Sequence, residues 1–530
     1  MAINMKALFI AAVVLIALGV VFFAVSKPPV TSPTPTTTPP TTTPAVSQIV
    51  IGVTDKVTDL DPSNAYDFFT WEVLNNVMEG LMRYKPGTTE LMYGIVESHE
   101  VQEGGKVYVF HLKKDLKFAD GTPCTAQDVV RSIKRVMEIQ GDPSWLVTEF
   151  VEDVVAVDDY TVKFVLKKPV SYFLALLATP PYFPVHPDYK PDEIDSDQTA
   201  GGVGPYKIVK WVRDQELVLE ANPYYHGEKP KIERVIIRFF KDATTLRLAL
   251  ERGEIDIAWR TLNPADIESL KGNPDLQVIE VPGAAIRYII INVKITDNKL
   301  VRQALAAAID RADICKRVYL DTWEPLYSLI PKGMWSHKDV FLEKYGEGPN
   351  IELAKSLLQQ AGYSEDNPLE VELWYTPTHY GDTEKDLAAV LKEQWEATGM
   401  IKVTIKSAEW TQYLEFTRKG ALQLSLYGWY PDYIDPDDYT TPFLHSAANA
   451  WTGSGYANPE VDSLLDEAAV KETIEERTPY YEQVQEILAE EAPIIPLIQG
   501  KLFAAAKKNV GGIVLDPTML FRYWLLYWKE

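Results

Sequence analysis

A chain of 530 residues is long enough for two to four domains, and its 46% hydrophobic and 24% charged residues supply ample material for globular cores. A formal charge of −23 argues against nucleic acid or an anionic membrane surface as partner, and its spread along the chain suits solubility. Two cysteines, Cys124 and Cys315, show no CxxC or zinc spacing; one disulfide between them stays open, but their apolar, helix-like surroundings fit two separate buried thiols better.

Residues 7–25 follow Lys6 and contain no charged side chain. About 19 residues of helix span roughly 28 Å, close to the hydrocarbon thickness of a bilayer and longer than the ~7–15 residues of a cleaved signal. Ala24-Val25-Ser26 is a poor cleavage site and no lipidatable cysteine follows, so residues 1–27 are expected to be an uncleaved signal-anchor, with a cleaved signal as the alternative. Residues 28–46 are mostly Pro, Thr and Ser. Such a stretch favours extended backbone, on the order of 50 Å long, and reads as a stalk.

The body starts at Ser47 with a strand over 48–53. A helix is expected over 68–82, with Trp71, Leu74, Val77, Met78 and Leu81 at helical spacing. A strand over 106–112 precedes the turn Asp120-Gly121-Thr122-Pro123, and Thr125 with Asp128 caps the next helix. Strands are expected over 161–166, 206–211, 216–220, 234–239, 255–259 and 287–293, with a helix over 242–252. Helices are expected over 301–309, 352–361, 386–398, 461–472 and 479–491, with strands over 402–405 and 422–426. Strands and helices interleave throughout, which indicates α/β domains.

Catalytic and cofactor motifs are missing. The seven histidines are scattered, with no HExxH, so no metal site is expected. Gly202-Val203-Gly204 precedes a strand rather than a helix, which removes the phosphate-cradling geometry. Asp435-Pro436-Asp437-Asp438 would put Thr440 where a calcium loop needs glycine. No nucleophile elbow or Walker loop is present, and no cofactor is expected.

One stretch concentrates recognition chemistry. Leu426-Tyr427-Gly428-Trp429-Tyr430-Pro431-Asp432-Tyr433-Ile434-Asp435-Pro436-Asp437-Asp438-Tyr439 ends a strand in a proline-stiffened, ring-lined loop with Asp432 at its mouth. Such a loop suits an amine or a sugar. The structural alternative is a turn whose aspartates bond their own backbone.

Taken together, residues 47–529 resemble the peptide/nickel class of extracellular solute-binding proteins, family 5, which serve ABC importers. The pieces occur in family order: Val77-Met78-Glu79-Gly80-Leu81, the stretch from Phe110 to Pro123 with Thr125 to Val129, Gly202-Val203-Gly204-Pro205-Tyr206, Gly253-Glu254-Ile255-Asp256-Ile257, Val301-Arg302-Gln303-Ala304-Leu305 running on to Arg311, Ala354-Lys355 to Gly362-Tyr363, and the Trp429–Asp437 loop. The resemblance implies a two-lobed, hinged α/β fold of Venus-flytrap type. Lobe I would comprise 47–85, 196–284 and 496–530, with an inserted subdomain over 86–195, and lobe II 285–495. It implies a monomer that is not an enzyme and that delivers its ligand to a membrane permease. Asp432 matches the aspartate that holds a peptide's α-ammonium. Trp429, Tyr430, Tyr433, Trp410 and Trp451 would line the cleft, with Trp374 and Tyr375 as further rings. The aromatic loop keeps an oligosaccharide open as the alternative to a peptide, while nickel lacks a histidine cluster. A surface adhesin fits the anchor and stalk but gives no reason for this body, and a hydrolase lacks a visible nucleophile or metal set. The helix from Val301 to Arg311 is expected to be structural, its charged end making an ion pair within its lobe.

Overall fold

The protein is described from a computed structural model over residues 47–377 and 379–530. The anchor and stalk of residues 1–46 lie outside this range. Among the described residues no helix is long and apolar enough to cross a membrane.

Two long strands, Leu276–Ile291 and Ile494–Lys507, form the axis of the molecule. They pair antiparallel in two stretches, Leu276 to Pro282 opposite Lys507 to Lys501, and Ile286 to Ile290 opposite Gln499 to Ile494. The ladder breaks between them at Pro282/Ile286. Pro282 cannot donate to a ladder. At Gly283 a Cβ would come within 2.9 Å of the Gly500 carbonyl oxygen, so only glycine lets the two backbones approach there.

On one side of the break the sheet continues through Ile257–Trp259, Gln48–Val53, Arg234–Phe239, Glu216–Ala221 and Tyr206–Val212. On the other it continues through Leu424–Trp429, Leu369–Tyr375 and Ile401–Ser407. Each side has its own core. One gathers Ile49, Ile51, Leu74, Val235 and Trp259, and extends into a separate four-stranded sheet through Phe110, Val154 and Phe164. The other gathers Ile289, Leu305, Leu373, Trp395 and Leu426.

Local signals explain most elements. Thr125 and Asp128 form the capping box of helix Ala126–Ile139, whose Val129, Ile133 and Val136 are buried. The first helix, expected to reach residue 82, stops at Val77 (Phe68–Val77). The backbone N–H groups of Gly202 and Gly204 donate to the Val77 carbonyl at 3.2 and 3.3 Å, taking the acceptor a further turn would use. Met82–Tyr84 becomes a strand instead. The last long helix, Ile474–Glu491, starts before Pro479 because Thr473 and Glu476 make a capping box there.

The charged end of the 301–311 segment makes no ion pair among the described residues. Arg311 is buried, donates from Nε to the Pro496 carbonyl at 2.9 Å and lies over the Tyr327 ring at 4.9 Å. A backbone acceptor and an aromatic face replace the expected carboxylate. Cys124 and Cys315 are both free and buried.

Candidate functional site

Strand Leu424–Trp429 carries the aromatic loop to the junction of the two halves. Three of the loop's four aspartates hold the loop itself. Asp435 caps the turn Pro436–Tyr439 by accepting from the Asp437 N–H at 2.9 Å, and is bound by both Nη atoms of buried Arg477 at 2.8 and 2.7 Å. Asp437 accepts from the Tyr433 and Thr441 hydroxyls at 2.8 and 2.7 Å. Asp438 accepts from Trp429 Nε1 at 3.1 Å and from the Asp432 N–H at 3.2 Å.

Asp432 alone turns its carboxylate away from the loop. It is half-buried, and its Oδ2 accepts from the Tyr66 hydroxyl at 2.7 Å, across from the first core. Burial pushes its carboxyl up to about 7, with the Tyr66 hydrogen bond only partly offsetting the rise. Asp438 is pushed up too, by burial and then by the charge of Asp432, and its Oδ1 is buried with no hydrogen-bond partner among the described residues. Two carboxyl groups thus stand together at the junction, Asp432 half-buried and Asp438 buried, and no guanidinium or ammonium among the described residues pairs with either. That place suits a cation brought by a ligand.

The walls are aromatic. Tyr430 packs against Phe68 with ring centroids 5.6 Å apart, and Tyr66 against Trp71 at the same distance. Tyr433 is buried; its ring stacks on Tyr172 at 5.4 Å. The Ile434 N–H donates to the Tyr84 hydroxyl at 2.9 Å. Beside these contacts, Phe68, Trp71, Tyr84, Pro431, Asp432 and Thr518 line a partly open pocket of about 20 Å³, room for one water. The halves therefore meet directly through these contacts.

Of the six residues singled out from sequence, Tyr430, Asp432 and Tyr433 face the junction, Tyr433 through its stack on Tyr172. Trp429, Trp451 and Trp410 stand together on the second half. Trp429 stacks on Trp451 at 5.7 Å, while Trp410 and Trp451 meet the Tyr427 ring edge-on at 6.0 and 6.1 Å. Trp451 Nε1 donates to the Pro442 carbonyl at 2.8 Å. Trp374 lies elsewhere, against Phe416.

Tyr66, Phe68, Tyr84, Arg260 and Arg287 were not anticipated. Arg287 was findable as a lone charge inside the apolar run Ile286-Arg287-Tyr288-Ile289-Ile290-Ile291. Its side chain is 2% exposed, pairs with Glu384 at 3.2 Å and lies over the Trp323 and Tyr380 rings at 4.8 and 4.6 Å. Burial raises the Glu384 carboxyl, and Arg287 offsets part of that rise.

A split sheet joined by two continuous strands, with an uncompensated carboxylate at the junction, defines a two-lobed binding protein. Residues 90–451 match the middle region of the bacterial extracellular solute-binding proteins, family 5, and the chain belongs to that family. It is 30% identical over 471 residues to a dipeptide-binding protein of Escherichia coli, covering 82% of this chain and 86% of the relative. It is also 30% identical over 485 residues to heme-binding protein A of Haemophilus influenzae, covering 86% of each. Among solved structures, the periplasmic binding protein DppA of Helicobacter pylori, associated with an ABC transporter and in complex with the peptide STSA, superposes with a TM-score of 0.78 at 25% identity. It covers 91% of this chain and 98% of that one. The ABC transporter substrate-binding protein CtaP of Listeria monocytogenes gives 0.80 at 25% identity, covering 92% and 100%.

Proposed function

We propose that this protein captures short peptides outside the cytoplasm by closing two lobes on them, and delivers them to the membrane permease of an ABC importer. The observation that carries this reading is Asp432, a half-buried carboxylate at the junction with a hydroxyl donor and no pairing cation among the described residues. A peptide's α-ammonium supplies the missing charge, and backbone donors and acceptors of the ligand can pair with the end of strand Leu424–Trp429 as an added strand. Peptide-binding relatives support it; the heme-binding relative shows that the family's fold carries other ligands. The lobes are taken as 47–85, 196–284 and 496–530 for the first, 86–195 for the inserted subdomain and 285–495 for the second. The protein acts as a monomer, and residues 7–25 hold it at the membrane on the stalk of residues 28–46.

The tryptophans that motivated the sugar alternative pack on one another and on Tyr427 rather than around a shared open groove, so the peptide is preferred. A thermal-shift comparison of dipeptides, tripeptides and neutral oligosaccharides tests it, since a ligand of the folded state raises stability by RT ln(1 + [L]/Kd). Peptides are expected to raise the Tm at millimolar concentration. A rise with sugars alone would refute the proposal.

A further inference from the structure

A second contact joins the two halves beyond the junction pocket. The turn of residues 167–172 leaves strand Thr161–Leu166 of the four-stranded sheet and reaches helix Pro459–Val470, whose Val461, Leu465 and Ala468 belong to the second core. The Ser171 N–H donates to the Ala469 carbonyl at 2.9 Å. Ala469 is the last residue but one of its helix, so that carbonyl has no partner within the helix, and the turn caps it from the other half. Lys168 pairs with Asp466 at 2.9 Å, one turn earlier, with both side chains about half exposed. A cation at the end of a helix also suits its dipole.

The turn is anchored on its own side. Val170 and Tyr172 are buried in the first core, the Lys167 N–H donates to the Phe150 carbonyl at 2.9 Å, and the Tyr172 ring meets Phe150 edge-on at 5.8 Å. Tyr172 also stacks on Tyr433 with the ring planes 14° apart, and the Arg477 guanidinium lies 5.7 Å from its centroid. Tyr433 and Ala469, carried by segments of the second half, thus pack into the first core. Arg477 is held by both oxygens of Asp435, so the ion pair that stiffens the aromatic loop also steadies this stack.

These contacts differ from the others across the junction. Tyr66 meets Asp432, and Arg260, paired with Asp55 at 3.3 Å and with Nη1 left without a partner among the described residues, lies over Tyr430 at 5.5 Å. Those groups stand at or beside the place proposed for the ligand, and a ligand exchanges with them. Lys168, Ser171, Asp466 and Ala469 do not line the junction pocket. Their contacts form alike whether it is filled or empty, so they stabilise the closed form equally in both states. A ligand's apparent affinity is its affinity for the closed form multiplied by the fraction of the protein that is closed.

Resting on the lobe-closing reading above, we infer that the turn of residues 167–172 is a clasp that holds the halves together without touching the ligand. It gives the empty protein a standing closed population and raises the affinity for every ligand by one common factor. Ligand chemistry is then read at the aromatic loop, and the clasp sets how tightly whatever fits is held.

Spin labels on the full-length chain test this. Val157→Cys and Ile295→Cys place labels at exposed positions of the four-stranded sheet and the second half, and the native Cys124 and Cys315 are buried, so labelling falls on the introduced thiols. Without ligand, pulsed-EPR distances are expected to include a short population. Lys168→Glu should lower the closed-to-open ratio about fivefold, by removing an ion pair and placing two like charges together. Adding Asp466→Lys should restore most of it. Tyr172→Leu should lower the ratio about tenfold by removing the ring stack. Saturating Ala-Ala should return every variant to the short distance. In calorimetry each variant should weaken Ala-Ala, Ala-Phe and trialanine by one factor, within about twofold. A ligand-free wild type with no short population, distances unmoved by Lys168→Glu and Tyr172→Leu, or a charge swap that restores nothing overturns the clasp. Losses that differ from peptide to peptide also overturn it, because they put the turn in contact with the ligand. If no peptide binds, the peptide reading falls and the ligand-free distances still decide the clasp. Lys168→Glu alters only an exposed pair, so it decides even where Tyr172→Leu fails to fold.

Discussion

Replacing Asp432 by asparagine is expected to move stability and affinity in opposite directions. In the ligand-free protein the Asp432 carboxyl is raised to about 7 by burial, against roughly 3.9 in an unfolded chain. A raised folded value means that the ionised form is disfavoured in the fold. Its cost therefore begins as pH rises above about 4 and is complete above about 7. Asparagine has the same shape and removes that cost. Because the carboxyl is only half-buried and keeps the Tyr66 donor, the gain at pH 8 should be on the order of 1–3 kcal/mol rather than the full ~4 implied by three pKa units. Peptide affinity should fall. Losing one partner of a buried, hydrogen-bonded charge pair costs roughly 2–5 kcal/mol, or about thirty-fold to several-thousand-fold. Asp438, whose Oδ2 accepts from the Asp432 N–H at 3.2 Å, loses in this variant the like charge that helps push its carboxyl up, so it ionises more readily beside an ammonium and favours the lower end of that range. Urea denaturation gives the first quantity and calorimetry the second. N-acetylating the peptide closes a double-mutant cycle: it should weaken binding to the wild type and cost much less in Asp432→Asn, since both changes remove the same pair. A variant that is less stable than the wild type, or a wild type that binds free and acetylated peptides equally, would refute the reasoning.

Peptide binding should also depend on pH. An ammonium favours the ionised Asp432, so lowering the pH from 8 to 5 should reduce affinity by up to about tenfold per unit below 7; the same slope with an acetylated peptide would place the titrating group elsewhere. Asp435→Ala leaves the Arg477 guanidinium buried without its bidentate partner and should destabilise by about 3–5 kcal/mol; a loss under ~1 kcal/mol in urea denaturation would show that the pair does not hold the loop. Ligand should shrink the molecule in small-angle scattering, because one ligand is touched from both lobes; an unchanged radius of gyration with binding verified separately counts against closure. The full chain should fractionate with membranes, while a chain lacking residues 1–45 should be soluble and bind; a native protein that begins near Ser26 and is released into the medium would contradict the anchor.

The aromatic loop stood out in the sequence because prolines, rings and carboxylates act on their immediate neighbours. What the loop pattern did not reveal is which aspartate is free. Asp435, Asp437 and Asp438 follow the turn reading, each tied within the loop or to Arg477. Asp432 escapes it only because Tyr66, 366 positions away, stands opposite. Tyr433, named through the resemblance, reaches the junction as a buried ring stacked on Tyr172 of the opposite half, a contact no local pattern could show.

The sequence by itself determined the local architecture. Caps such as Thr125 with Asp128 join atoms a few residues apart, so they are legible without a fold. The ordered family segments, from Val77-Met78-Glu79-Gly80-Leu81 to the Trp429–Asp437 loop, carried the two-lobed fold for the same reason that any series of matched local pieces does. Tertiary structure alone decided the hinge and the electrostatics. Strand Ile494–Lys507 escapes a period-two search because it is buried along nearly its whole length and therefore does not alternate. Its partner Leu276–Ile291 lies some two hundred residues earlier, and only the fold shows that their shared ladder breaks at Pro282. The raised carboxyls of Asp432 and Asp438 and the unfilled donor of Arg260 arise from desolvation, which depends on every segment packed around a group and on no sequence neighbour in particular.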